Sequence, residues 1–211
     1  MQSITVIFDI DGVIVDSEQL HFDVLCHLAP EYAGRYQPQQ LIGLSLEETL
    51  EHIKVPRSLQ SDITSKIIGT YREKLNITYL RPGVAALAAD LERCGVKFGF
   101  VSTAPRDICL ANIGLLGLKN IPILISGDDV ALTKPHPDPY LAMLTLLNTA
   151  AEDVLVIEDT DLGVLAAIRA GIEHVYAWPH ALSAQQHYKH ATRIIERLSD
   201  IDAFKSFYPA V

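Results

Sequence analysis

Apolar residues fall along this chain in two rhythms. The run Ile4-Thr5-Val6-Ile7-Phe8 is short and nearly continuous, as expected of a strand buried on both faces, and it leads into Asp9-Ile10-Asp11-Gly12-Val13. From residue 17 to 79 the apolar positions recur at helical spacing: Leu20, Val24, Leu25 and Leu28, then Leu46, Leu50 and Ile53, then Ile63, Ile67, Ile68 and Tyr71. Pro30, Gly34, Pro38, Gly43 and Pro56 divide this stretch into a compact set of about four helices. After Arg81-Pro82-Gly83 the two rhythms alternate. A helix carrying Val84, Leu87 and Leu91 ends at Gly95, and strands are predicted at 97–102, 122–126, 154–158 and 174–177. Helical patterns at 105–116, 138–148 and 161–170 separate them. Short apolar strands alternating with helices predict an α/β fold with a parallel sheet covered on both faces. The helical stretch is then an insertion over the carboxyl ends of the strands, where open α/β sheets bind ligands. Residues 179–211, with His180, His187 and His190, carry no clear rhythm.

Composition narrows the class. A chain of 211 residues, 49% of them hydrophobic, can bury one sizeable core and a smaller second one. A formal net charge of -9 without a Lys/Arg cluster argues against nucleic acid or an anionic membrane as partner. An anionic small substrate therefore needs a local metal or lysine. Cys26, Cys94 and Cys109 lack CxxC spacing and sit among apolar residues, which fits reduced thiols in a cytoplasmic protein. No basic region precedes the first apolar run, and no apolar stretch is long enough for a membrane span, so neither secretion nor insertion is expected.

The chemistry-bearing residues all fall at predicted carboxyl ends of strands. In an extended segment Asp9 and Asp11 point the same way, and two like charges so close call for a cation or a shared proton. Gly12 lets the backbone approach a ligand. Ser102 and Thr103, ahead of Pro105 at a helix start, offer hydroxyls and free N–H groups to an anion. Lys134 lies in Lys134-Pro135-His136-Pro137-Asp138-Pro139, a stiffened loop that holds one cation in place. Of Glu158-Asp159, Asp159 is expected to touch a metal directly and Glu158 through water, with Asp161 complementing a helix N-terminus.

In order and spacing, Asp9-Ile10-Asp11-Gly12-Val13, Ser102, Lys134-Pro135 and Glu158-Asp159-Thr160 with Gly163 resemble the four motifs of the haloacid dehalogenase superfamily. The helical insertion is similar to the subgroup with a small helical cap, which contains β-phosphoglucomutase and many sugar-phosphate and phosphoglycolate phosphatases. The resemblance implies a Rossmann-like three-layer α/β/α core (residues 1–16 and 80–211) and a small all-α helical cap domain (17–79). Asp16-Ser17-Glu18 and His21 resemble the cap hinge.

It also implies a two-step phosphoryl transfer. Asp9 would be the nucleophile and Asp11 the general acid and base. Mg2+ would be held by Asp9, the Asp11 backbone carbonyl and Asp159, with Glu158 supporting its water shell. Ser102, Thr103 and Lys134 would bind the phosphoryl oxygens, and cap residues, Lys66 or Arg72 among them, would contact the substrate. The acidic pair Glu158-Asp159 favours phosphate chemistry over carbon–halogen cleavage.

A Mg2+-dependent phosphatase of a small phosphomonoester, such as a sugar phosphate, is the first expectation, in a monomer or weak homo-oligomer. A mutase of the β-phosphoglucomutase type is the alternative. It is weakened because Gly43-Leu44-Ser45-Leu46 puts leucine where that enzyme's Gly-x-Ser-Arg carries its phosphate-gripping arginine. A phosphoreceiver-like regulatory module is a third reading, against which the large insertion counts.

Overall fold

The computed structural model describes residues 4–208. The few terminal residues that the sequence reading assigned to the core, 1–3 and 209–211, lie outside that range. Six parallel strands, β1 (Thr5–Asp9), β2 (Phe98–Val101), β3 (Leu124–Ile125), β4 (Val154–Glu158), β5 (His174–Ala177) and β6 (Arg193–Ile194), form one sheet in the order β3-β2-β1-β4-β5-β6. β1, the first strand of the chain, is central. The chain winds outward from it to β3 and then returns to β4 on its other side, which opens a crevice at the carboxyl ends of β1 and β4.

Alternation along the strands divides the core in two. Val6 and Phe8 of β1 join Leu155 and Ile157 of β4 beneath α5 (Val84–Arg93) and α6 (Arg106–Gly114). Ile7 joins Val154 and Val156 on the other face, beneath α7 (Asp138–Leu147) and α8 (Asp161–Arg169). Every residue of β1 and β4 is buried, which is why their sequences read as continuous apolar runs. β3 is two residues long against the five expected. β6 was not foreseen: Arg193 and Ile194 are both exposed and lie in a stretch with no readable rhythm.

The helical stretch forms α1 (Glu18–Leu28), α2 (Pro30–Ala33), α3 (Leu46–His52) and α4 (Arg57–Lys74) around a third core built from Leu20, Val24, Leu50, Ile53, Ile67 and Tyr71. A capping box starts α3, with Ser45 and Glu48 satisfying each other's backbone N–H. The two crossings into and out of the insertion pair with each other: Val15 bridges Leu80, Asp16 donates its N–H to Tyr79, and Arg81 donates its own to Ile14. Ile108 of α6 packs into the insertion's core, so that core is completed by the sheet's own layer. No described helix is long and apolar enough to cross a membrane.

Candidate active site

Phe8 stands opposite Ile157, so Asp9 and Glu158, one residue further on each strand, leave the sheet side by side. Both continue the alternation toward the α7–α8 face, and Lys134, in the loop ahead of α7, reaches them there. Lys134 is 3% exposed; its ammonium contacts the Asp9 carboxylate and lies 2.5 Å from Glu158 Oε1. Burial alone would lower its pKa, but the two carboxylates outweigh it and hold the ammonium charged. The Tyr140 hydroxyl of α7 donates to Glu158 Oε1 at 2.6 Å. The Thr160 hydroxyl donates to Glu158 Oε2 at 3.3 Å and accepts the Gly163 N–H of α8 at 3.1 Å.

Asp159 is held differently. Both of its carboxylate oxygens are buried without a hydrogen bond. His180 Nε2 stands 3.1 Å from Oδ2, out of line for one. Gly12, at φ +87°, packs so tightly on this carboxylate that a β-carbon there would collide with it. One carboxylate oxygen from each of Asp9, Glu158 and Asp159 lies within 4.8 Å of the others. Burial raises the pKa of Asp9 well above the ordinary carboxylate range; Lys134 opposes this, and Glu158 and Asp159 add to it. Three hard oxygen donors, one lysine and an unpartnered buried carboxylate fit a divalent cation such as Mg2+.

His180 sits between Asp159 and Asp16, its Nδ1 3.3 Å from Asp16 Oδ1. Burial would lower its pKa, but the two carboxylates raise it to about 9. Because that value lies above the 6.5 of a free histidine, the pair's contribution to stability is complete below about pH 6.5 and is lost as pH rises through about 9. Unfolding of metal-free protein followed across that window should show the decline, and His180→Asn should flatten it. An equally steep decline in the variant would refute the assignment.

The Asp11 carboxylate turns away from the acidic group toward the insertion. Ser17 Oγ at 2.8 Å, His21 Nε2 at 3.0 Å and Asn112 Nδ2 at 3.0 Å all meet Oδ1, while Ser102 Oγ donates to Oδ2 at 3.3 Å. Ser17 stands at the N-terminus of α1 and forgoes capping it. Burial raises the Asp11 pKa, but His21 and the two hydroxyls outweigh it, so the group is held below the usual carboxylate range, while Asp11 raises His21. Tyr71 of α4 stacks on His21, 4.2 Å between ring centroids, and donates its hydroxyl to Asn112 Oδ1 at 2.8 Å. Asp11 is thereby tied to both the insertion and α6. Arg81 donates to the carbonyls of Gly12 at 2.5 Å, Trp178 at 2.8 Å and Pro179 at 3.0 Å.

Several expectations therefore change. The Asp11 side chain is not part of the acidic group; its hinge and α6 partners satisfy it instead. Lys66 is 60% exposed and paired with Asp62, and Arg72 is exposed. The buried edge of α4 runs through Ile67 and Tyr71, four residues apart, and Lys66 and Arg72 each lie about 100° around the helix from it. Residues 179–192, which carry no clear rhythm, are not helical. Asp161, first residue of α8, accepts the N–H groups of His187 at 3.0 Å and Tyr188 at 2.6 Å. Asp9, Asp11, Ser102, Thr103, Lys134, Asp159 and His21 do converge on one cleft between the sheet and the insertion. Sequence reasoning missed Asn112, Tyr140, Tyr71 and Arg81. Asn112 alone left a signal, as an uncharged polar residue in the apolar run Ile108 to Leu116.

A parallel sheet with paired acidic groups, a lysine and a serine at the carboxyl ends of its central strands, roofed by a helical insertion, defines an α/β enzyme with its site at the sheet's crevice. The chain belongs to the haloacid dehalogenase-like hydrolase family, whose sequence model matches residues 6–177. It is 31% identical over 188 residues to the phosphorylated carbohydrates phosphatase of Thermotoga maritima, covering 84% of this chain and 86% of that one. It is 28% identical over 184 residues to the β-phosphoglucomutase of Bacillus subtilis, covering 79% and 80%. The crystal structure of CbbY from Rhodobacter sphaeroides in complex with phosphate superimposes with a TM-score of 0.80 at 22% identity, covering 92% of this chain and 94% of that one, a likeness of fold.

Proposed function

We propose that this enzyme is a phosphatase that hydrolyses a small phosphomonoester through an aspartyl phosphate on Asp9, with residues 17–79 acting as a cap over the core. The observation that carries the reading is the buried group Asp9, Glu158 and Asp159 with Lys134 set among them. The name of the relative from Thermotoga maritima, phosphorylated carbohydrates phosphatase, supports a phosphorylated carbohydrate as substrate. Unpaired Cys26, Cys94 and Cys109 fit a reducing cytoplasm.

Mg2+ would be held by Asp9, Asp159 and the Asp11 carbonyl, with Glu158 behind them, and would supply positive charge opposite the phosphoryl oxygens. The chain's own groups carry the rest. An Asp9 oxygen attacks phosphorus as the bond to the alcohol oxygen breaks, and that oxygen takes a proton from the Asp11–His21 pair. Water then attacks the aspartyl phosphate and gives its proton to Asp11, which frees phosphate and restores Asp9. The Asp11 carboxylate, held low by His21 and the Ser17 and Ser102 hydroxyls, suits the second step. Lys134 and Ser102 offset the charge on the transferring group.

A phosphate-release screen over phosphomonoesters, with Mg2+ and with chelator, tests this. Release that requires Mg2+ is expected, and Asp11→Ala should lower turnover by about 10² to 10⁴-fold. Metal-independent release would remove the cation from the scheme. Conversion of β-glucose 1-phosphate with a bisphosphate primer, and no release, would favour the mutase, although Leu46 offers no grip on a second phosphate.

A further inference from the structure

The cleft opens between the carboxyl ends of the strands and the insertion. The catalytic groups form its floor. On the side facing the insertion its wall is apolar, built from Phe22, Leu25, Leu44, Leu46, Ile67 and Ile108. Glu18, His21 and Thr49 add polar atoms there. Burial pushes the Glu18 carboxyl up to about 7, and His21 is engaged by Asp11. Among the described residues lining the cleft, Lys134 is the one lysine or arginine, and Asp9 and Glu158 already hold it. Lys66 and Arg72 face solvent.

We infer that the leaving alcohol of the substrate carries no second anionic group and turns an apolar face to this wall, with hydroxyls within reach of Glu18 and Thr49. This rests on the phosphatase reading and narrows it. A second phosphate or a carboxylate would meet leucine and isoleucine side chains and the Glu18 carboxyl, with His21 already engaged by Asp11 and no free lysine or arginine among the described lining residues to receive it. An apolar face gains instead, since each methylene taken from water is worth about fourfold in binding. Stripping an acidic group of water against this wall should cost an acidic ester about tenfold or more.

Four matched esters test the inference: 2-deoxyglucose 6-phosphate, glucose 6-phosphate, 6-phosphogluconate and fructose 1,6-bisphosphate. Each is measured by kcat/KM with the wild-type enzyme and Mg2+, and by calorimetric binding to the Asp9→Asn protein. In both measurements the two uncharged-alcohol esters should lead the two acidic ones by at least about tenfold, the deoxy sugar first. Leu46→Arg, at the half-buried first residue of α3, should narrow the gap for the bisphosphate, and Glu18→Gln should narrow it for 6-phosphogluconate. Acidic esters that bind and turn over as well as the neutral ones would overturn the inference while leaving the phosphatase standing. Failure to release phosphate from any ester would sink the phosphatase reading, and the binding order would still decide this one. Binding of none of the four would also overturn it.

Discussion

Asp9→Asn should abolish turnover, by at least about 10⁴-fold, while leaving the protein folded. The amide keeps the shape of the carboxylate and can still accept from Lys134, but it is a poor nucleophile and a weak partner for a cation. The consequence for stability runs the other way. Burial holds the Asp9 pKa well above its ordinary value, and Glu158 and Asp159 repel its charge, so an ionised Asp9 is a cost to the metal-free fold at neutral pH. Removing that charge should leave the thermal midpoint in chelator unchanged or raised. Phosphate release and calorimetry on the same preparations check both halves. Turnover within tenfold of wild type would end the covalent mechanism, and a lowered midpoint would contradict the electrostatic account.

The second large effect belongs to Lys134. Lys134→Met keeps most of the side-chain volume and removes the charge, leaving Asp9 and Glu158 buried without their cation. Breaking a buried pair from one side costs about 3–5 kcal/mol. For a chain of this size that lowers the midpoint by roughly 10 °C. Mg2+ should recover part of the loss, because a cation among the same carboxylates supplies some of the missing charge. Turnover should still fall by about 10²-fold, since the phosphoryl oxygens lose a charged donor that the metal does not replace. An unchanged midpoint in chelator would mean that Lys134 does not stabilise the acidic group.

The residues behind these two predictions were legible in the sequence. Asp9, Lys134 and Glu158-Asp159 each follow or precede a clear apolar period, and a strand that ends in a carboxylate must place it at the sheet's rim. What they touch was less legible. The i, i+2 spacing of Asp9 and Asp11 suggested that both carboxylates would share a cation or a proton, yet β1 ends at Asp9 and Asp11 lies beyond it, where the strand's alternation no longer applies. Lys66 and Arg72 were candidates because of their charge, and helix phase turns them outward.

The order of elements from β1 to β5, the parallel sheet, the helical insertion and the acidic, hydroxyl and lysine positions at the strand ends were determined by the sequence alone, because each rests on a short-range period or on one residue at the end of an element. Only the tertiary structure decided how those residues pair. Asn112 reaches Asp11 across 101 residues of chain and Tyr71 reaches Asn112 across 41. His180 meets Asp159 from a segment with no readable rhythm. Local periodicity fixes which face a side chain takes, but partners so far apart in the chain meet only when the sheet and the insertion pack, and that packing turned Asp11 toward the insertion and left Asp159 without a hydrogen bond.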